Sequence, residues 1–246
     1  MKNKTVKTSN VVRAINAVKD LHDRGAGEEG MGLLYGRPGE GKTTTVSYIM
    51  NTWNAVFLRA RVSWTITSML STLMEEIGRE PNYRRAPMMN DAIEELVVSQ
   101  RMLIIDEADY LLRQKDMLDA VRDIYDMTGV PILMVMMERA PRKIQSDRRL
   151  SRFKRRITRW VEFDGLTKSD TRKVCATLPH LNDPEQTPIT IGEDLAMKIH
   201  KESDANIGHV VIALSRIERF ARTNDIDTVT LADYGDRALF ASRGPQ

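Results

Sequence analysis

Eight residues, Gly36-Arg37-Pro38-Gly39-Glu40-Gly41-Lys42-Thr43, spell the phosphate-binding pattern G-x-x-x-x-G-K-[ST]. Glycines at these positions let successive backbone N–H groups turn inward around an anion, and a helix starting just beyond adds its positive dipole end. Lys42 would reach the terminal phosphates of a nucleotide and Thr43 would hold Mg²⁺, so ATP and Mg²⁺ are the expected cofactors. The candidate cradle is Gly36, Pro38, Gly39, Glu40, Gly41, Lys42, Thr43 and Thr44.

A second cluster matches it. Met102-Leu103-Ile104-Ile105-Asp106-Glu107 is an apolar run ending in two carboxylates. In a parallel sheet, ligands collect at the carboxyl ends of strands, which would set Asp106 beside the metal held by Thr43. Glu107 is then the expected group to orient and deprotonate a water attacking the γ-phosphate. The plainer alternative is that both acids only cap the helix that follows.

These residues need strands to carry them. Met31 to Tyr35 reads as a buried strand entering the loop and Thr43 to Trp53 as the helix leaving it. Upstream, Ser9 would cap a helix bearing Val11, Val12, Ile15, Val18 and Leu21. Downstream come a strand at Ala55 to Arg59, a helix at Thr65 to Ile77 and a polar connection at Gly78 to Pro87. Further helices at Ala92 to Val98 and Gln114 to Met127 follow, with strands at Val130 to Met137 and Trp160 to Phe163. Five strands alternating with helices predict an α/β fold, a parallel sheet covered on both faces. From Thr167 the periods are helical and strandless, at Thr167 to Leu178, Gly192 to Ser203, Ile207 to Thr223 and Leu231 to Ala241. Domains of 1-165 (nucleotide-binding) and 166-246 (helical lid) are therefore expected, with a boundary near Gly165.

The chain of 246 residues, 41% hydrophobic, has room for one such α/β domain and a small appendage. No apolar stretch is long enough to span a bilayer and no signal-like segment follows Met1, so a cytosolic protein without a membrane partner is expected. Cys175 is the one cysteine, which excludes an intrachain disulfide, and it reads as a small core residue. His22, His180, His200 and His209 lack metal-ligand spacing and read as packing or surface residues.

The net charge is only +3, but its distribution is uneven. From Arg139 to Arg159 ten basic residues face a single acid, Asp147. Such density is an electrostatic footprint for nucleic acid or polyphosphate, with Arg142, Lys143, Arg148, Arg149, Lys154, Arg155 and Arg156 as candidate contacts to double-stranded DNA. It could equally be a solvated helix face, or in part reach a neighbouring subunit's nucleotide.

Together, a phosphate loop, an Asp-Glu strand, a further strand, a basic helix and a helical lid resemble the AAA+ ATPases over nearly the whole chain. Within them, Thr8-Ser9-Asn10-Val11-Val12-Arg13, the Tyr35 to Thr44 loop and Pro131 to Arg139 look most like transposition ATPases of the phage Mu B type. That resemblance implies ATP-dependent, sequence-tolerant binding of target DNA, self-association into rings or filaments, and a transposase as partner in a bacterial or phage-infected cytoplasm. It implies nucleotide contacts at Gly39, Gly41, Lys42, Thr43 and Thr44, and an arginine finger at Arg152 within Leu150-Ser151-Arg152-Phe153, with Arg148 and Arg149 as rivals. Two departures stand out. Where many AAA+ proteins end the fourth strand in a polar sensor, this chain reads Met136-Met137-Glu138-Arg139, leaving Glu138 as the possible sensor. Where relatives place a lid arginine, it reads Asn206-Ile207-Gly208-His209, which lacks the arginine fork. Slow turnover, suited to a switch, is the expectation.

Three other readings compete. Asp106-Glu107-Ala108-Asp109 matches a helicase box, but helicases of that group need two motor domains and a Ser-Ala-Thr element absent after Met136. A helicase loader or replication-initiation ATPase would share the fold and would bind a replicative helicase rather than a transposase. A nucleotide-gated scaffold would have no use for Glu107 as a water-activating carboxylate.

Overall fold

Alternation along the apolar runs builds the core of the computed structural model, which describes residues 5–178 and 189–240. Strands β1 (Met31–Gly36), β2 (Val56–Arg59), β3 (Leu103–Asp106), β4 (Ile132–Met137) and β5 (Ile157–Phe163) form one sheet in the order β2-β3-β4-β1-β5. All its pairings are parallel. Successive side chains point to opposite faces, so Leu33, Leu103, Ile105, Met134 and Met136 enter one apolar cluster and Leu34, Ile104, Leu133 and Val135 the other.

The first face is covered by α3 (Ile66–Glu76), α4 (Arg85–Ser99) and α5 (Lys115–Thr128), through Leu70, Leu73, Leu96 and Val121 among others. The second is covered by α1 (Ser9–His22) and α2 (Lys42–Trp53), through Val18, Leu21, Val46 and Ile49. Helix α3 begins at a reciprocal cap: the Thr65 hydroxyl accepts from Ser68 N–H at 3.2 Å, and the Ser68 hydroxyl accepts from Thr65 N–H at 2.8 Å.

The chain divides into two compact units. One comprises Arg13–Arg37 and Lys42–Phe163, the sheet and its helices. The other comprises Met1–Val12, Pro38–Gly41 and Asp164–Gln246. Its core packs α8 (Lys168–Thr177), α9 (Glu193–Glu202) and α10 (Ile207–Asn224) around Val174, Leu195, Ile199, Val210 and Ile217.

Several local expectations need correction. Thr8, not Ser9, caps α1: its carbonyl accepts from Val12 N–H at 3.0 Å and its hydroxyl faces Val11 N–H at 3.5 Å. Helix α4 starts seven residues before Ala92, at Arg85, because Pro87 falls in the first turn, where a missing N–H costs nothing. The basic stretch is not one helix but α6 (Ala140–Ser146), a 3₁₀ turn at Arg148–Leu150 and α7 (Ser151–Lys154), after which Arg159 lies within β5. The second unit is not strandless, since β6 (Thr190–Ile191) pairs with β7 (Thr228–Val229). The last helix among the described residues, α11 (Leu231–Tyr234), stops at Gly235, whose φ of 61° breaks the helical path, whereas the expected helix runs from Leu231 to Ala241. His180 and the tail beyond residue 240 lie outside the described residues.

Candidate functional site

Strand β1 delivers the phosphate loop at its carboxyl end, and α2 opens at Lys42. Gly39 and Gly41 take φ values of +80° and +83°, a region that side chains with a Cβ rarely adopt. Lys42 Nζ donates to the carbonyls of Gly36 at 2.7 Å and Arg37 at 2.8 Å, so the ammonium folds back over the loop entrance. Thr43 and Thr44 are exposed at the start of α2, while Glu40 is buried.

Strand β3 brings the carboxylates to the same edge of the sheet. Thr43 Oγ1 donates to Asp106 Oδ2 at 3.2 Å, and Glu107 N–H donates to Asp106 Oδ1 at 2.9 Å. Asp106 is buried. Glu107 sits at φ 55°, ψ 31°, a left-handed turn that ends the strand and starts the 3₁₀ segment Ala108–Arg113. This bend sends the Glu107 side chain away from the strand direction, within 3.6 Å of the Arg59 guanidinium at the end of β2.

Strand β4 lies between β1 and β3, so its end separates the loop from the carboxylates. Its pairing with β3 stops at Ile105↔Met134, while its pairing with β1 continues to Gly36↔Met137. Asp109 fills the gap, accepting from Met137 N–H at 3.1 Å and 2.9 Å through its two oxygens. Burial raises the Asp109 carboxyl above its usual range, with the Met137 N–H opposing that rise. Glu138, the possible sensor, is the first residue past β4 and is exposed, as is Arg139.

The basic candidates separate by their partners. Arg156 is tied to Asp126 of α5 by two bonds of 2.5 and 2.6 Å, and Arg149 pairs with Asp147 at 2.8 Å. Arg142, Lys143, Arg148, Arg152, Lys154 and Arg155 are exposed. Arg149, Ser151 and Arg152 line an open recess of about 350 Å³ with Asp119 and Arg122 of α5.

Other expectations concern packing. Cys175 is buried in α8, which pushes its thiol up to about 12. His22 stacks on Trp53, His209 tilts against Phe240, and His200 Nδ1 lies 2.8 Å from the Thr171 hydroxyl. Among the described residues no cluster of three or more His, Cys, Asp or Glu could hold a metal, and no helix is long and apolar enough to cross a membrane. The Thr43 hydroxyl beside a single buried carboxylate nevertheless fits Mg²⁺, an ion that takes one or two protein oxygens and completes its shell with phosphates and water.

Sequence reasoning missed Arg59 and Asp109 as neighbours of the site. Arg59 ends an expected strand, but only the sheet order puts that strand beside the Asp-Glu strand. Nothing in the sequence marked the second beyond its place in Asp106-Glu107-Ala108-Asp109.

Residues 24–144 match the family model of the AAA domain. Among solved structures, the fold is similar to the ORC2 protein of Aeropyrum pernix in its ADPNP-ADP complexes, with a TM-score of 0.67 at 16% identity, over 89% of this chain and 64% of that one. It is similar to Cdc6p of Pyrobaculum aerophilum, with a TM-score of 0.65 at 16% identity, over 89% and 62%. The ORC1 protein of A. pernix in complex with DNA gives 0.63 at 14% identity, over 92% and 64%. The chain thus spans a little under two thirds of the length of these proteins. A search of curated protein sequences found no match. The sheet, its strand order and these likenesses give the chain the AAA+ P-loop fold.

Proposed function

We propose that this chain is an AAA+ ATPase that binds ATP with Mg²⁺, assembles on double-stranded DNA without strong sequence preference, and regulates a transposase. The observation that carries the nucleotide reading is the 3.2 Å contact between Thr43 Oγ1 and Asp106 Oδ2, with Glu107 one residue on. In this reading Gly36, Pro38, Gly39, Glu40, Gly41, Lys42, Thr43 and Thr44 hold the nucleotide, and Thr43 and Asp106 hold the ion. When bound, Mg²⁺ offsets charge on the phosphate oxygens.

Lys42 would exchange its loop carbonyls for the terminal phosphate oxygens, a change from neutral to charged acceptors that favours binding. Glu107 would take one proton from an attacking water. That water's oxygen bonds the γ-phosphorus as the bond to the β-γ bridging oxygen breaks, and the electron pair leaves with ADP. Arg152 of a neighbouring copy is the proposed finger, with Arg148 and Arg149 as rivals, and Glu138 the proposed sensor. Residues 166-246 would act as the lid.

The DNA reading is supported by the exposed Arg142, Lys143, Arg148, Lys154 and Arg155. Phosphate contacts of this kind fix position without reading bases. Transposase regulation rests on the sequence resemblance alone. A replication-initiation or helicase-loading role is the second reading, favoured by the likeness to ORC and Cdc6 proteins, one of them solved with DNA.

The test combines ATP hydrolysis with imaging on DNA. Lys42→Ala should abolish nucleotide binding and DNA-dependent assembly, and Glu107→Gln should trap an ATP-bound, DNA-bound oligomer. Equal hydrolysis by wild type and Glu107→Gln would sink the general-base role, and isolated particles on DNA in every nucleotide state would sink assembly. Binding to a transposase rather than a replicative helicase decides between the two cellular roles.

A further inference from the structure

We infer that Asn206 is a positioning residue for the phosphate loop: with Gly208 it holds two successive loop carbonyls on one side, so that the N–H groups of Gly39 and Glu40 face the other. The inference rests on the reading of this loop as a nucleotide cradle. Asn206 lies far along the chain from the loop, in a segment that offers an amide and a glycine.

The geometry is specific. Asn206 is the cap of α10 and is 9% exposed. Its Oδ1 accepts from Gly208 N–H at 3.0 Å and His209 N–H at 3.3 Å, while its Nδ2 donates to the Pro38 carbonyl at 2.9 Å. The reverse orientation of the amide would set oxygen against the Pro38 carbonyl and leave both helix N–H groups facing a donor. Gly208 N–H also donates to the Gly39 carbonyl at 2.9 Å. Pro38–Gly41 belongs to the same compact unit as α10, so these contacts lie within one body.

Peptide planarity converts this grip into orientation. In a trans peptide the C=O and N–H point in opposite directions, and the described chain has no cis bonds. Holding the Pro38 carbonyl therefore directs the Gly39 N–H away from α10, and holding the Gly39 carbonyl does the same for the Glu40 N–H. Consecutive N–H groups turned to one side are the element of an anion nest. Setting them before a ligand arrives removes an ordering cost from binding.

Close approach enforces the arrangement. A Cβ on Gly39 would lie 2.7 Å from Asn206 Oδ1, and a Cβ on Gly208 would lie 3.2 Å from the Gly39 oxygen. Either would push the loop tip and the helix start apart. The His209 ring takes no part, since its Nδ1 lies 3.2 Å from the Ser203 carbonyl.

The experiment uses the full chain and a fluorescent ATP analogue with Mg²⁺, comparing wild type, Asn206→Ser and Gly208→Ala. Serine is a good helix cap, so Asn206→Ser keeps the start of α10 but is too short to reach the Pro38 carbonyl. Gly208→Ala keeps the cap and its N–H but adds the crowding methyl. Each should weaken nucleotide binding about three- to tenfold, the worth of one or two neutral hydrogen bonds. KM should rise in step, with kcat at saturation within about twofold, because the chemistry groups are untouched. A merely structural role would lower thermal stability without this KM-against-kcat split. Wild-type affinity in either folded variant overturns the inference and leaves the ATPase reading standing, whereas a wild type that binds no nucleotide overturns that reading itself.

Discussion

The Arg59 guanidinium lies 3.6 Å from the Glu107 carboxylate, joining the ends of two neighbouring strands. Register puts Arg59 opposite Asp106, and the left-handed turn at Glu107 carries the next side chain back toward it. At this distance a cation competes with water for the proposed general base. Both side chains are well exposed, at 62% and 39%, so the competition is weak. Arg59→Ala should therefore raise DNA-free ATP turnover by at most about fivefold, the limit for an exposed pair worth up to about 1 kcal/mol. Phosphate release at saturating ATP measures it, and an unchanged or lower rate would show that Arg59 does not restrain Glu107.

Asp170 gives a pH-dependent prediction. Burial alone would raise its carboxyl, but hydrogen bonds from Ser9 N–H at 3.0 Å and the Thr167 hydroxyl at 2.9 Å outweigh burial and hold it below its ordinary value of 3.8. A depressed carboxylate stabilises the folded state above its unfolded pKa, and that stability is lost as pH falls through the lower folded value. Asp170→Asn should cost about 1–3 kcal/mol near neutrality. The gap between the two proteins should narrow below pH 3.8. Denaturant melts at neutral and acid pH measure this, and a gap independent of pH would contradict it.

The strands and the loop were legible in the sequence because buried parallel strands read as apolar runs and the phosphate loop is a contiguous pattern. Asp106 and Glu107 were legible for the same reason: they end such a run. Arg59 and Asp109 were not, because their roles depend on which strands are neighbours, and only the sheet order puts β2 beside β3 and β4 beside both β1 and β3. The basic segment misled in another way. Helical periodicity and charge are compatible over Arg139 to Arg159, but Asp147 accepts from Arg149 N–H at 2.9 Å and starts a new turn, breaking the helix there. Short elements such as β6 and β7 carry too few residues for any period to show.

The same segment yields a contrast between neighbouring arginines. Arg155 is exposed, whereas Arg156 forms a two-bond pair with Asp126 and also donates to the Arg152 carbonyl at 2.6 Å. Arg155→Ala should weaken DNA binding and reduce the salt dependence by about 0.9 in log–log slope, the value for one lost phosphate contact, without changing Tm. Arg156→Ala should instead lower Tm by about 2–6 °C, since it removes both short bonds to Asp126 and leaves that carboxylate only the longer 3.8 Å pairing with Arg122. Titrations at several salt concentrations together with thermal melts separate the two. Equal loss of DNA affinity in both variants would mean that Arg156 leaves Asp126 to contact DNA.

Arg152 differs from Arg149 in one respect that matters for a finger. Arg149 is engaged by Asp147, while no carboxylate lies within ion-pair distance of the Arg152 guanidinium among the described residues. A finger must bring its charge to another copy's γ-phosphate, and an existing ion pair would have to break first. Arg152→Ala should therefore cut DNA-stimulated hydrolysis at least about a hundredfold while leaving nucleotide affinity nearly intact. Mixing supplies the decisive measurement. Glu107→Gln assembles with an intact finger but lacks the general base, and Arg152→Ala has the reverse, so each alone should be inactive. Combined, the Glu107→Gln copies can offer Arg152 to the intact sites of their neighbours, and hydrolysis should partly return. A mixture as inactive as its components would remove Arg152 from the neighbour's site, and the same mixing with Arg148→Ala would then test its rival.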